Sequence, residues 1–248
     1  MKISIITVSY NSAATIRDTI DSVLGQDYKN VEFIIVDGKS TDETAAIVQS
    51  YGTAITTFIS EKDKGLYDAM NKGIALATGE VIGILNSDDF YAHDQVLSKV
   101  ASAFHENADG LYADLVYVSA ENPKKIVRTW KSGNYTENAF LKGWMPPHPT
   151  FFVRRSVYEK YGRFTDQLKS AADYELMLRF IHKHKIPLVY LPEITVHMRA
   201  GGKSNASLKN RLKANKEDRL AWKLNNLKPG TFTFLRKPLS KLAQFLRR

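Results

Sequence analysis

Four times in the first 90 residues, a short apolar run ends abruptly in polar residues. Lys2–Val8 is a β-branched run that stops at Ser9-Tyr10-Asn11, the pattern of a buried strand. Ile16, Ile20, Val23 and Leu24 then recur at helical spacing, with Gly25 as the stop. Val31–Val36 predicts a second strand. Ser40 and Glu43 have the spacing of a capping box before a helix running to about Tyr51. Ile55–Ile59 predicts a third strand. Leu66, Met70 and Ile74 mark a helix that stops near Gly79, Val81–Leu85 a fourth strand, and Gln95–Phe104 another helix. Strands alternating with helices predict an α/β fold: a mixed, mostly parallel sheet with helices on both faces.

The second half is less regular. Leu111–Val118 and Ile126–Trp130 read as strands that could pair as a hairpin. Pro146, Pro147 and Pro149 punctuate a loop before a Phe151–Val153 strand. Asp173–His184 has helical spacing, with Leu176, Met177 and Phe180 inward. Leu188–Leu191 and Thr195–Met198 are short apolar runs, and Gly201-Gly202 opens a loop. From Ser207 onward the pattern is helical and basic.

Composition narrows the chemistry. The 248 residues are 44% hydrophobic and include no cysteine, so disulfides and thiolate metal sites are excluded. The apolar N-terminal stretch is too short for a signal peptide, and no window approaches the roughly 18 apolar residues of a membrane span. The net charge of +9 is uneven: residues 203–248 hold 13 Lys and Arg against two Asp and Glu, whereas the rest holds 22 against 24. A near-neutral body with a basic tail suits an anionic membrane surface or an anionic lipid-linked substrate. Nucleic acid is not expected as a partner, because no further basic motif accompanies the tail.

In an open α/β sheet, ligands bind beyond the carboxyl ends of the strands. The polar residues collect there: Ser9-Tyr10-Asn11, Asp37-Gly38-Lys39-Ser40, Asp63-Lys64-Gly65 and Asn86-Ser87-Asp88-Asp89. Neither a Gly-x-Gly-x-x-Gly turn nor a Walker-type loop is present to cradle phosphate with backbone. Asp88 and Asp89 offer another route, in which carboxylates hold a hard divalent cation that bridges diphosphate oxygens. An Asp-Asp pair alone fits a solvated turn or a helix cap as well.

The ordered set Thr7–Asn11, Val36–Asp42, Glu61–Gly73, Gly79-Glu80 and Leu85–Asp89 resembles family 2 glycosyltransferases of the GT-A fold, in particular those that build bacterial O-antigen and exopolysaccharide. The similarity runs from Met1 to about Asn205. It implies a GT-A domain over 1–205, with a nucleotide-sugar-binding half (1–110) and an acceptor-binding half (111–205), followed by a basic amphipathic helical extension over 206–248. It implies that Tyr10 and Asp37 meet the nucleotide base, that Asp63 and Lys64 lie beside the nucleotide, that Asp88 lies near the ribose, and that Asp89 binds Mn2+ or Mg2+. Asn86 stands where the family's Asp-x-Asp pattern has its first acid, which leaves one fewer anion beside the metal. Ser170–Leu176 resembles the family's element that carries the catalytic base, which falls on Asp173. Helix capping is the bland alternative for that residue. His148 and Trp144 are expected on the acceptor side, or simply packed. His197, Arg199 and Lys203 resemble the loop over the donor diphosphate, with His197 a third metal ligand and Arg199 and Lys203 phosphate partners.

The expected function is an inverting transfer of a sugar from a nucleotide diphosphate, UDP-sugar first, to a hydroxyl of a saccharide or lipid-linked saccharide acceptor. Two alternatives remain at this stage: a sugar-phosphate nucleotidyltransferase, and a non-catalytic membrane-associated saccharide-binding protein on the same fold. In the tail, Leu235, Leu239, Leu242, Phe245 and Leu246 interleave with Arg236, Lys237, Lys241, Arg247 and Arg248. That helix would lie on an anionic leaflet, or pack on its own domain or on a second subunit of a homodimer. The expected location is cytoplasmic, peripheral on the inner face of the cell membrane.

Overall fold

A computed structural model describes residues 1–201, 208–234 and 236 of the chain. These form one nine-stranded mixed sheet flanked by helices. β1 (Ile3–Ser9), β2 (Val31–Asp37), β3 (Thr57–Ser60) and β4 (Val81–Ile84) are parallel, in spatial order β3-β2-β1-β4. Helices α1 (Ile16–Leu24), α2 (Thr44–Gln49) and α3 (Leu66–Leu76) connect them. The order then continues β8-β6-β9-β5, with β7 paired to β6. These are β5 (Phe90–Tyr91), β6 (Gly110–Val118), β7 (Ile126–Trp130), β8 (Phe152–Arg154) and β9 (Leu188–Arg199).

Strand alternation builds two cores, one on each face. Ile3, Ile5, Phe33 and Ile35 pack with Ile16, Ile20 and Val23 of α1 and with Val96, Leu97 and Val100 of α4 (Val96–Ala103). Ile6, Val8, Ile34 and Val36 pack on the other face with Tyr67, Met70 and Ile74 of α3, and with α5 (Arg155–Tyr161), α6 (Ala172–Met177) and α7 (Leu208–Leu224). At Gly73 an added Cβ would fall 2.4 Å from the Ile6 side chain, so glycine is what lets α3 lie close on β1.

Several expectations are corrected. The Ser40–Glu43 capping box does not form. Glu43 occupies the N-cap of α2 without a side-chain bond, and Ser40 instead donates to Asp37. The two short runs at 188–191 and 195–198 are one strand, β9, which crosses Pro192-Glu193 because register shifts in its pairing with β6 absorb the irregularity. The helix from 173 to 184 is α6 followed by a π-helical segment, Leu178–Lys183. The hairpin of β6 and β7 is present.

α7, which with residues 225–234 and Arg236 is the described part of the 206–248 extension, joins the main core. Trp222 is buried and donates Nε1–H to Tyr174 of α6 at 2.9 Å, and Asn225 donates to Glu175. Glu217 accepts from Lys169 N, Ser170 N and Ser170 Oγ, fixing the approach to α6. The basic Leu stripe from Leu235 to Leu246 lies outside the described residues, apart from exposed Arg236. Among the described residues no helix is long and apolar enough to cross a membrane.

At the amino edge of the sheet, Glu32 explains why Gly79-Glu80 follows α3. Burial alone would raise the Glu32 carboxyl. Hydrogen bonds from Ser4, from Thr78 N and Oγ1, and from Lys2 outweigh it and hold the group at about 2, against 4.5. Glu80 in turn accepts from Lys2 N. A depressed carboxyl stabilises the fold above its unfolded value, and that contribution is lost as pH falls from about 4.5 towards 2. Glu32→Gln is therefore expected to lower unfolding free energy at pH 7. In denaturant titrations the gap to wild type should close between pH 4.5 and 2, and a gap unchanged over that window would refute the assignment.

Candidate active site

Six strand ends share one edge. β4 and β6 are each antiparallel to β8, so β6 runs with the parallel strands, and β9 runs parallel to β6. The carboxyl ends of β1, β2, β3, β4, β6 and β9 therefore open on the same side.

Asp37 ties the first three together. It is fully buried, and both of its oxygens are occupied: Oδ1 accepts from Ser9 Oγ and Ser40 Oγ, Oδ2 from Ser40 N and Ser60 Oγ. A nucleotide base reaching Asp37 has to displace one of these serine hydroxyls. The neighbouring loops hold non-glycine residues in the left-handed region, Asn11 at φ 51° and Lys39 at φ 61°, a local strain that such sites often carry. A Cβ on Gly38 would fall 2.3 Å from Asp63 Oδ2 and 3.4 Å from the Tyr10 ring. Tyr10, 53% exposed, and Asp63 thus flank a glycine floor that any side chain would fill. The Asp63-Lys64-Gly65 turn is held by Asp63, which accepts from Gly65 N, and by Asp68, which accepts from Lys64 N; the Lys64 side chain is exposed.

The acidic turn after β4 is gripped from both sides. Ser12, Thr15 and Thr19, at the start of α1 and just before it, bond Ser87 Oγ, Ser87 O and Asp89 O at 2.7–2.8 Å. Asp89 is fully buried; its Oδ1 accepts from Arg199 N and its Oδ2 from Asn86 Nδ2. Burial, and then the charge of Asp88, drive its carboxyl well above the usual range. Asn86 Oδ1 is also buried, with no hydrogen-bond partner.

These two oxygen donors fit a hard divalent cation. No three His, Asp or Glu gather as a ready-made metal site among the described residues. Mg2+ is commonly held by one or two carboxylates with substrate phosphates completing the shell. His197 does not join the acidic turn as a third ligand. It pairs in register with Phe90 and packs edge-on against that ring at 5.1 Å; burial and then His93 lower its imidazole. Arg199 projects from the same face of β9 and lies over the same ring. Its guanidinium turns inward, to Asp88 O at 2.7 Å and to Asp18 of α1, so it props the acidic turn from below rather than standing free in the cleft. Lys203 lies outside the described residues.

Across the edge stands Asp173, half-buried in the first turn of α6. Ala171 occupies the N-cap without a side-chain bond, so the Asp173 carboxylate is not spent on capping. Its Oδ1 accepts from Tyr67 OH at 3.1 Å. Burial lowers the His148 imidazole, and the Asp173 charge partly offsets this, so His148 is a neutral ring near pH 7. His148 also meets Phe164 edge-on. Trp144 is packed among Tyr112, Tyr135 and Phe140, and its Nε1–H is bonded to Ser132 O, so it serves the core behind this region.

Tyr117, at the end of β6, escaped the sequence reading. Its hydroxyl is raised by burial, and after that by the negative charges of both Asp89 and Asp173, while Arg128 of β7 lies over its ring at 4.4 Å. The strand-end rule could have found it once the direction of β6 was known.

The model of glycosyl transferase family 2 matches residues 4–162. An uncharacterized glycosyltransferase of Mycobacterium tuberculosis is 30% identical over 179 residues, covering 71% of this chain and 68% of the relative. A PGL/p-HBAD biosynthesis glycosyltransferase of Mycobacterium bovis is 28% identical over 208 residues, covering 82% and 78%. Among solved structures, Staphylococcus aureus TarS 1–349 in complex with UDP-GlcNAc superposes with a TM-score of 0.68 at 20% identity, over 99% of this chain and 72% of that one. The chain spans 43% of the longer TarS structure. The mannosyltransferase PcManGT of Pyrobaculum calidifontis, in complex with GDP-Man and Mn2+, gives 0.68 at 17% identity, over 99% and 69%. Its fold is that of these transferases, the GT-A fold, and the chain belongs to glycosyl transferase family 2.

Proposed function

We propose that the protein is an inverting, divalent-metal-dependent glycosyltransferase that moves a sugar from a nucleotide diphosphate, UDP-sugar first, to a hydroxyl of a saccharide acceptor. The observation that carries this reading is the hydrogen bond from Tyr67, in the first turn of α3 just after the Asp63–Gly65 turn, to Asp173, which brings the later carboxylate to the sheet edge that carries the acidic turn. The acidic turn and the later carboxylate thus face one cleft, as a displacement needs: positive charge gathered at the leaving group and a base on the opposite side.

In this reading Tyr10 and Asp63 bracket the nucleotide over Gly38, and Asp37 fixes the loops that shape its base pocket. Asp89 and Asn86 Oδ1 would hold Mn2+ or Mg2+, which when bound would neutralise the departing diphosphate, with Asp88 toward the ribose. Arg199 fixes the turn. Asp173 takes the proton from the acceptor hydroxyl as that oxygen attacks the anomeric carbon, and His148 lines the acceptor side. TarS with UDP-GlcNAc and PcManGT with GDP-Man and Mn2+ support the donor class and the metal. The 13 Lys and Arg of residues 203–248 support an acceptor carried on a lipid at an anionic membrane face, as bacterial surface polysaccharide synthesis would require.

A screen of UDP- and GDP-sugars with and without Mn2+ tests the reading. The expected result is metal-stimulated release of nucleoside diphosphate from one donor, with NMR showing inverted configuration in the product. Retained configuration, or turnover indifferent to chelation, would overturn it.

A further inference from the structure

We propose that Tyr67 is a positioning residue for Asp173, holding one carboxylate oxygen so that the other meets the acceptor hydroxyl; this rests on the reading of Asp173 as the base. Tyr67 lies in the first turn of α3, in the half of the chain that otherwise builds the nucleotide side. It is 8% exposed, and its hydroxyl reaches over to Asp173 Oδ1 at 3.1 Å. The hydroxyl therefore donates across the cleft to the carboxylate that α6 carries.

The ring is held as firmly as the hydroxyl. It stacks on Phe164 at 5.4 Å and 26°. One turn further along α3, on the same face, Asn71 clamps Phe164 through both of its backbone groups: Nδ2 donates to Phe164 O at 2.9 Å and Oδ1 accepts from Phe164 N at 3.0 Å. His148 closes the other side of Phe164. The Leu66–Gly73 motif thus works across the cleft, locking the acceptor side to the donor side. Oδ2 of Asp173 is the oxygen left for the incoming hydroxyl. A fixed carboxylate keeps the attacking oxygen near its line of approach, which is where orientation contributes to rate.

Tyr67→Phe removes only the hydroxyl and keeps the ring and its stack. The expected result is a fall in kcat of roughly 10- to 100-fold, the range for losing one hydrogen bond to a charged group. Donor KM and nucleotide affinity should stay within about twofold, because the hydroxyl does not touch the donor pocket. In an Asp173→Asn background the same substitution should cost no further rate, because both act through one group. An unchanged kcat in Tyr67→Phe, a rise in donor KM that matches the loss of kcat, or losses that multiply in the double variant, would overturn the proposal. Full turnover in Asp173→Asn alone is a separate outcome, which removes the base on which Tyr67 is said to act.

Discussion

Asp173→Asn is expected to lower kcat by roughly 10²–10⁴, the range of a positioned general base, while nucleotide binding stays near wild type. The asparagine has the same shape, and its Oδ1 still accepts from Tyr67, so the local fold is retained. Ala171, not Asp173, sits at the N-cap, so no capping bond is lost. The Asn86–Asp89 turn and the Tyr10–Gly38–Asp63 pocket belong to other strand ends and are untouched. What disappears is a group able to take a proton. Stopped assays should show the rate loss, and calorimetry with UDP and Mn2+ an unchanged affinity. Turnover near wild type would assign the carboxylate a structural role and leave the displacement without its base.

The parts of the fold legible in the sequence are those where burial leaves no choice. β1 and β2 are buried on both faces, so their β-branched runs mark them to within a residue. β5 was invisible because two residues, Phe90 and Tyr91, carry no period; only pairing with β9 makes them a strand. β9 looked broken because Pro192 interrupts an apolar pattern that a register shift repairs in three dimensions. The site divides in the same way. The four polar clusters on one edge followed from the alternation of strand and helix. Asp173 came from a resemblance in seven residues, since nothing in its spacing places it opposite Asp89. The inward turn of Arg199 could not be read at all: its ion-pair partner, Asp18, lies 181 residues earlier. Tyr67 stood inside a quoted motif, but its target is 106 residues away. Local pattern names the elements, and long-range pairing decides what a side chain does.

Asp89→Asn separates function from packing most sharply, because the two readings predict opposite signs for stability. Asp89 is a fully buried carboxyl that burial and Asp88 push toward its neutral form. As a structural residue, tied to Asn86 Nδ2 and Arg199 N, it should destabilise the protein when altered. A neutral amide, however, needs no buried charge. Its oxygen can still accept from Arg199 N, and a flip of Asn86 lets its Oδ1 accept from the new amide while its Nδ2 takes the unpartnered position, so the number of unpaired buried atoms does not rise. The melting temperature is therefore expected to hold or rise. Under the proposed function activity moves the other way: the variant lacks the buried carboxylate proposed to hold the cation. Mn2+-dependent nucleotide binding should weaken by more than tenfold, and kcat/KM should fall by roughly 10²–10³, the scale of losing one preorganised electrostatic contact to a leaving group. A variant that melts lower yet binds Mn2+ and UDP as wild type does would move Asp89 from the metal to the scaffold.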